Sequence, residues 1–119
     1  MRVRVTGTES ITGKTVVREL LAAGHSIREH NGLITDENAV RLCRFVDLVV
    51  HADWLWAAPS FEAEVEHNLQ GSIRLAAACE EHGVPLQYAI DFDPNRSIAM
   101  AIQVLKDEYH ATRFWTDGL

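Results

Sequence analysis

Gly7 and Gly13 frame a short run, Thr8 to Thr12, and the residues after Gly13 repeat with the spacing of a helix. A glycine-bearing turn that opens a helix presents backbone N–H groups at the positive end of the helix dipole, so its natural chemistry is anion binding, above all of phosphate. Two neighbours work against that chemistry. Glu9 sets a carboxylate beside the helix start, and Ser10 brings a Cβ into the path along with its hydroxyl. A second chemistry is offered by Glu9, Asp53, Asp91, Asp93 and Asp117, which fall at the ends of candidate strands with His51 or Asn68 nearby; if they converged they would suit Mg²⁺ or another hard cation. Helix caps and solvated loop ends are the simpler account of the same residues, and no metal site is expected. Cys43 and Cys79 sit in helical patterns without C-x-x-C or other metal-ligand spacing, and are expected to be reduced packing residues. Lys106 and Tyr109 lie three apart near the far end of a candidate helix, where they read as a solvated pair.

The elements that must position these groups fit one domain over residues 1–119. A strand over Val3 to Thr6 leads through Gly7 into a helix from about Ile11 to Ala23, closed by Gly24. His25 to His30 reads as a second strand with Ile27 as its single aliphatic residue, followed by an Asn31-Gly32 turn. Asp36 is expected to cap a short helix through about Arg44, and Leu48 to His51 is a compact apolar strand of the kind covered on both faces. Pro59 and Ser60 start a long helix ending at Gly83, Leu86 to Ile90 forms a fourth strand, Asn95 to Tyr109 a last helix, and Ala111 to Trp115 a fifth strand. Strands alternating with helices through short links predict parallel β-α-β units with right-handed crossovers and helices on both faces. The formal charge of -6 disfavours nucleic acid and anionic membrane as partners. No stretch approaches the roughly 20 apolar residues of a membrane span, and MRVRVTG enters a strand at once, so the cytoplasm is the expected location.

The run VTGTESITGKTVVRELLAAGH resembles the first β-α unit of the extended short-chain dehydrogenase/reductase family, whose fingerprint is TGxxGxxG followed by a helix and AGH. DLVVHAD at 47–53 resembles the family's fourth strand, D-x-V-x-H-x-A-A, and HNLQGSIRLAAACEEHGV at 67–84 its N-x-x-G-T-x-x-L-x-x-A helix; VLKDEYHATRFW resembles the sixth strand and the helix before it. The resemblance implies a minimal Rossmann-like α/β three-layer sandwich. Only NGLITDENAVRLCRF stands where the family usually has a further helix and strand, which predicts loss of the family's third strand and a five-stranded parallel sheet of order 2-1-3-4-5. It also implies where NAD(P) would lie: over Gly7, Thr8, Ser10, Ile11 and Gly13, with Asn31 near the position of the family's ribose-binding acid and Ala52 and Asp53 at the far end. Glu29 is a shifted candidate for that acid.

The family's Tyr-x-x-x-Lys pair is missing, with Pro94 and Ile98 at its two positions, and the serine or threonine expected after the fifth strand is replaced by Asp91-Phe92-Asp93. A carboxylate cannot donate a hydrogen bond to a substrate carbonyl. No catalytic residue is therefore assigned. A competing motif overlaps the loop, since GTESITGKT resembles the phosphate-binding G-x-x-x-x-G-K-[ST], but five residues rather than four separate its glycines, and Lys14 reads more simply as a solvated first-turn residue. Trp54 and Trp56, after the third strand, are expected to pack on the adjacent helix.

The last helix is apolar almost all round through Ile98, Ala99, Met100, Ala101, Ile102, Val104 and Leu105, more than one sheet face covers. In the resembling family the two corresponding helices pair as a four-helix bundle. A homodimer through helices 60–82 and 95–109 is the expected assembly, with Phe61, Val65, Leu69 and Ile73 as the matching stripe, and a protein partner is a further expectation. The leading expectation is a non-catalytic, dimeric interaction or regulatory protein with residual nucleotide binding. Two rivals stay open: a small NAD(P)-dependent oxidoreductase or epimerase using His51 or Asp91 as proton donor, and a phosphohydrolase or kinase dependent on Lys14.

Overall fold

The computed structural model describes residues 1–55, 59–91 and 113–117. Period-two alternation builds its centre. In β1 (Arg2–Thr6) Val3 and Val5 are fully buried against helix α1 (Ile11–Ala22), which leaves Arg4 and Thr6 to the opposite face. Strand β3 (Leu48–His51) divides the same way: Val50 joins the α1 side, Val49 the other. Being apolar on both faces, it pairs in the middle of the sheet, parallel to β1 on one side and β4 (Leu86–Asp91) on the other. The polar β2 (Ser26–His30) pairs with β1 alone among the described strands and lies at the sheet's edge, where only Ile27 reaches the core.

The strand order is β2-β1-β3-β4, with all pairs parallel, so the reading of a parallel, Rossmann-like α/β sheet agrees with the structure. The backbone of Arg113–Asp117, β5, runs parallel beside β4, two residues later in sequence than the strand expected at 111–115. The helix expected at 95–109, together with Trp56 and Asp93, lies outside the described residues.

Helices cover both faces. On the second, α2 (Asp36–Leu42) and α4 (Gly71–His82) enclose Ile34, Leu42, Val49, Leu75, Leu86 and Tyr88. Cys43 and Cys79 are free and buried there, their sulfurs 3.5 Å apart. The cap of α2 is Thr35, not Asp36 as expected: the Thr35 hydroxyl accepts from the Asn38 N–H while the Asn38 carbonyl oxygen accepts from the Thr35 N–H, a reciprocal pair that leaves Asp36 as the first helical residue. The long helix begins on Ser60 as expected but is not uniform. Helix α3 (Phe61–Glu64) passes through a π-helical segment (Val65–Gln70) into α4. The wider turn rotates α4 relative to α3, so the expected stripe of residues four apart does not stay on one face: Phe61 is 78% exposed, whereas Ile73 packs on the core.

Candidate functional site

The eight residues expected at a cofactor site lie just beyond the C-terminal ends of β1, β2 and β3 or in the turn and first helical turn that lead from β1 into α1. Gly7, at φ +73°, runs so close to β3's continuation that a Cβ would fall 2.5 Å from the Asp53 Cα, and a Cβ on Gly13 would fall 1.9 Å from the Gly7 carbonyl oxygen. Only glycine lets the strand, the turn and the first turn of α1 approach this closely. Ser10 is the helix cap. Its hydroxyl donates to the Gly7 carbonyl (2.7 Å) and accepts from the Gly13 N–H (2.9 Å), and its oxygen stands 3.5 Å from the Ala52 carbonyl. Asn31 ties down the rest: its side chain accepts from the Glu9 N–H (3.0 Å) and donates to the Thr8 hydroxyl (2.8 Å).

These bonds consume the donors that an anion would need. The Glu9, Ser10, Gly13 and Lys14 N–H groups go to Asn31, Gly7, and the Ser10 hydroxyl and carbonyl respectively, and the Ile11 side chain is exposed. The same bonds bear on the phosphate-binding-loop alternative. Helix α1 begins at Ile11, so Gly13 and Lys14 lie inside the helix with their N–H groups already bonded to Ser10.

Behind the loop a row of side chains crosses the sheet at one level, His30 on β2, Thr6 on β1, His51 on β3 and Tyr88 on β4. The Ala52 N–H donates to the Thr6 hydroxyl; Thr6 lies 2.6 Å from His51 Nδ1, and His51 Nε2 lies 2.8 Å from the Ser72 hydroxyl, which donates to the Asn68 carbonyl. One proton arrangement satisfies every group: Thr6 donates to Nδ1, and Nε2–H donates to Ser72. Burial pushes His51 down to about 4, against a smaller opposing pull from Asp53, so the ring is neutral at physiological pH. His51 is 2% exposed with both nitrogens engaged, an arrangement that braces the strand end and leaves neither nitrogen free toward a substrate. The Tyr88 hydroxyl is buried without a partner among the described residues, and burial raises its pKa.

Asn68, in the π-helical segment, uses its amide as a two-pronged clamp, accepting from the Leu55 N–H (2.7 Å) and donating to the Leu55 carbonyl (2.9 Å). Asp53 pairs with His67 at 3.0 Å, both about one-sixth exposed. The carboxylate is thus held by an imidazole, and among the described residues no group of three His, Cys, Asp or Glu side chains converges as a metal site would require. Trp54 is half-buried. Sequence reasoning overlooked the Thr6–His51–Ser72 chain, although its signals were present: Thr6 and His51 share the face of Arg4 and Val49, and Asn68 and Ser72 are four apart. It also missed a grouping of four arginines on β1, β2 and around the end of α2.

No protein-family profile matches the chain, and no curated protein matches it. Solved structures do. MoeE5 in complex with UDP-glucose and NAD is 21% identical, over 93% of this chain and 50% of that one, with a TM-score of 0.76. UDP-N-acetylglucosamine 4-epimerase from Bacillus cereus is 17% identical over 94% and 51%, TM-score 0.74. A short-chain dehydrogenase/reductase superfamily protein from Agrobacterium tumefaciens with bound NAD is 20% identical over 92% and 44%, TM-score 0.69. What is shared at these identities is the fold, in agreement with the resemblance carried by the four sequence segments. The chain spans about half the length of these structures.

Proposed function

We propose that the chain is a non-catalytic Rossmann-like module that binds a nicotinamide dinucleotide weakly at the Gly7–Gly13 loop and acts through a dimeric protein surface. The observation that carries the reading is the loop itself: it has the strand-turn-helix path of a dinucleotide site, yet the Ser10 hydroxyl is bonded across it from Gly7 to Gly13. Two of the structures that share the fold hold NAD, which supports the location. Gly7, Thr8, Ser10, Ile11 and Gly13 would lie under the pyrophosphate; Asn31 would lie beside the adenosine ribose and Ala52 and Asp53 toward the nicotinamide. Glu9 and Asp53 oppose the phosphate charge. When bound, the cofactor supplies hydride transfer; this chain lacks the Tyr-x-x-x-Lys pair to move the accompanying proton, and His51 is sealed away.

The five-stranded order 2-1-3-4-5 and a cytoplasmic location go with this reading; among the described residues no helix is long and apolar enough to cross a membrane. So does a two-fold homodimer through the helices at 60–82 and 95–109. Exposed Phe61 and the apolar sequence of 98–105 support it.

Titration of NADH or NADPH fluorescence tests the binding arm: saturation is expected only above about 100 µM, with no cofactor-dependent turnover. Ile11→Glu puts a carboxylate at the exposed mouth of the loop without disturbing packing, and should abolish binding; an unchanged affinity would place the ligand elsewhere. Gly13→Glu is a poorer probe, because any side chain there strikes the Gly7 carbonyl. Sedimentation tests the assembly: Phe61→Asp should convert a dimer at tens of micromolar into a folded monomer, and a wild-type monomer would refute the surface.

A further inference from the structure

We propose that Arg4, Arg28, Arg41 and Arg44 form a second binding site, separate from the glycine loop, for the diphosphate group of a nucleotide whose ring system is covered by Phe45. The five residues line a cavity of about 260 Å³. Arg4 and Arg28 are direct cross-strand partners on β1 and β2, two residues before the Thr6–His30 pair and on the same face; Arg41 is in the last turn of α2, with Arg44 and Phe45 just after it. The cavity therefore lies on the α2 face of the sheet's open edge, which is uncovered because the chain passes from β2 to β3 through one short helix.

The charge here is uncompensated. Four of the chain's eleven lysines and arginines meet in a molecule of formal charge -6, and among the described residues no carboxylate lies within 4.0 Å of any of the four guanidinium groups; the ion pairs there use Arg2, Arg74 and His67 instead. Some of this cationic character has a local use. The Arg4 Nε donates to the Leu42 carbonyl at the end of α2 (3.2 Å), and basic residues at a helix C-terminus meet the negative end of its dipole. That use leaves Arg28 unexplained, and it does not need four like charges. Burial and then the repulsion of Arg28 and Arg41 lower the pKa of Arg4, the direction that an anion seated among the three would reverse. Planar guanidinium groups from two strands and a helix end can each give paired N–H donors to phosphate oxygens.

Phe45 is the second, independent mark. It is 76% exposed and has φ +59°, a left-handed backbone that a bulky side chain rarely adopts. A glycine or asparagine would serve such a turn more easily, so the strained and solvent-facing aromatic is kept at a cost, in the wall of the cation-lined cavity. An aromatic face beside guanidinium groups suits a planar ring carried on an anionic tail.

The test is calorimetric titration of the wild-type chain with pyrophosphate and with ADP at low ionic strength, both free of metal. Saturable binding of both is expected, weakened at least about tenfold by Arg28→Ala and by Arg41→Ala, whose side chains are exposed and bear no part of the core. Phe45→Ala should weaken ADP and leave pyrophosphate unchanged. Absence of binding by either anion at about 1 mM, or equal affinity in the arginine variants, would overturn the site. ADP binding indifferent to Phe45→Ala would overturn the ring contact.

Discussion

The glycine loop and the arginine cavity divide between them what is usually found together. The loop has the backbone of an anion site, yet Glu9 and Asp53 stand at it and its donors are bonded inward; the cavity lacks any helix N-terminus or glycine turn, yet collects four guanidinium groups. The glycines at 7 and 13 are required by the packing of strand, turn and helix whether or not a ligand is present, since a side chain at either position meets backbone at less than 3 Å. A glycine fingerprint therefore reports close backbone approach first. Charge and free donors report the ligand, and in this molecule they point to a different place.

The largest effect that would sharpen the contrast is expected from Gly13→Ala. Its Cβ lands 1.9 Å from the Gly7 carbonyl oxygen, and the strand-helix junction must open; a loss of about 3 kcal/mol or more is expected, read as a fall in denaturation midpoint, against about 1 kcal/mol for removing only the cap hydroxyl with Ser10→Ala. A Gly13→Ala chain as stable as wild type would mean that the glycine is there for a ligand after all.

Next in size is the pH dependence from His51. Its folded pKa, about 4, lies below the ordinary 6.5, so between these values the unfolded chain holds the extra proton. Stability is then complete above about pH 6.5 and falls as pH drops toward about 4, by roughly 3 kcal/mol in all. Urea midpoints across that window should decline for wild type and flatten in His51→Gln, which keeps one donor and one acceptor. A wild-type profile no steeper than that of the variant would show that His51 is not the buried neutral brace behind the loop.

The smallest effect belongs to the cavity. Removing one of four like charges should raise stability slightly, by a few tenths of a kcal/mol at low salt for Arg28→Ala, because the groups are largely solvated. A clear loss of stability would make Arg28 a structural residue and weaken the contrast with the loop.

Much of this was legible in the sequence. Val3, Val5, Val49 and Val50 announce central strands by alternation and by an apolar run, and Ser10 and Gly13 fall in the turn from β1 into α1 because the strand-to-helix transition is local, whereas Asn31 reaches that turn from the end of β2. The Thr35 cap was missed because Thr35 and Asp36 are both good caps, and only the reciprocal bonds with Asn38 decide between them. The π-helical segment carries no composition signal: VEHNLQ reads as ordinary helix, and Asn68's clamp on Leu55 is a tertiary contact that pattern cannot show. The arginine cavity was illegible for the same reason. Arg4, Arg28, Arg41 and Arg44 are scattered over 41 positions, and only parallel register and the return of α2 over the sheet edge bring them together.

The central claim, that the glycine loop keeps a dinucleotide site's shape while its side chains suppress binding, is tested most directly by restoring the missing features. In Ser10→Gly combined with Asp53→Ala the cap hydroxyl that bridges Gly7 to Gly13 and the facing carboxylate are both removed, at a cap cost of only a few tenths of a kcal/mol. NADH fluorescence titration of this variant beside wild type should show affinity at least about tenfold tighter, equivalent to about 1.4 kcal/mol, still without turnover. Affinity equal to or weaker than wild type would contradict the account.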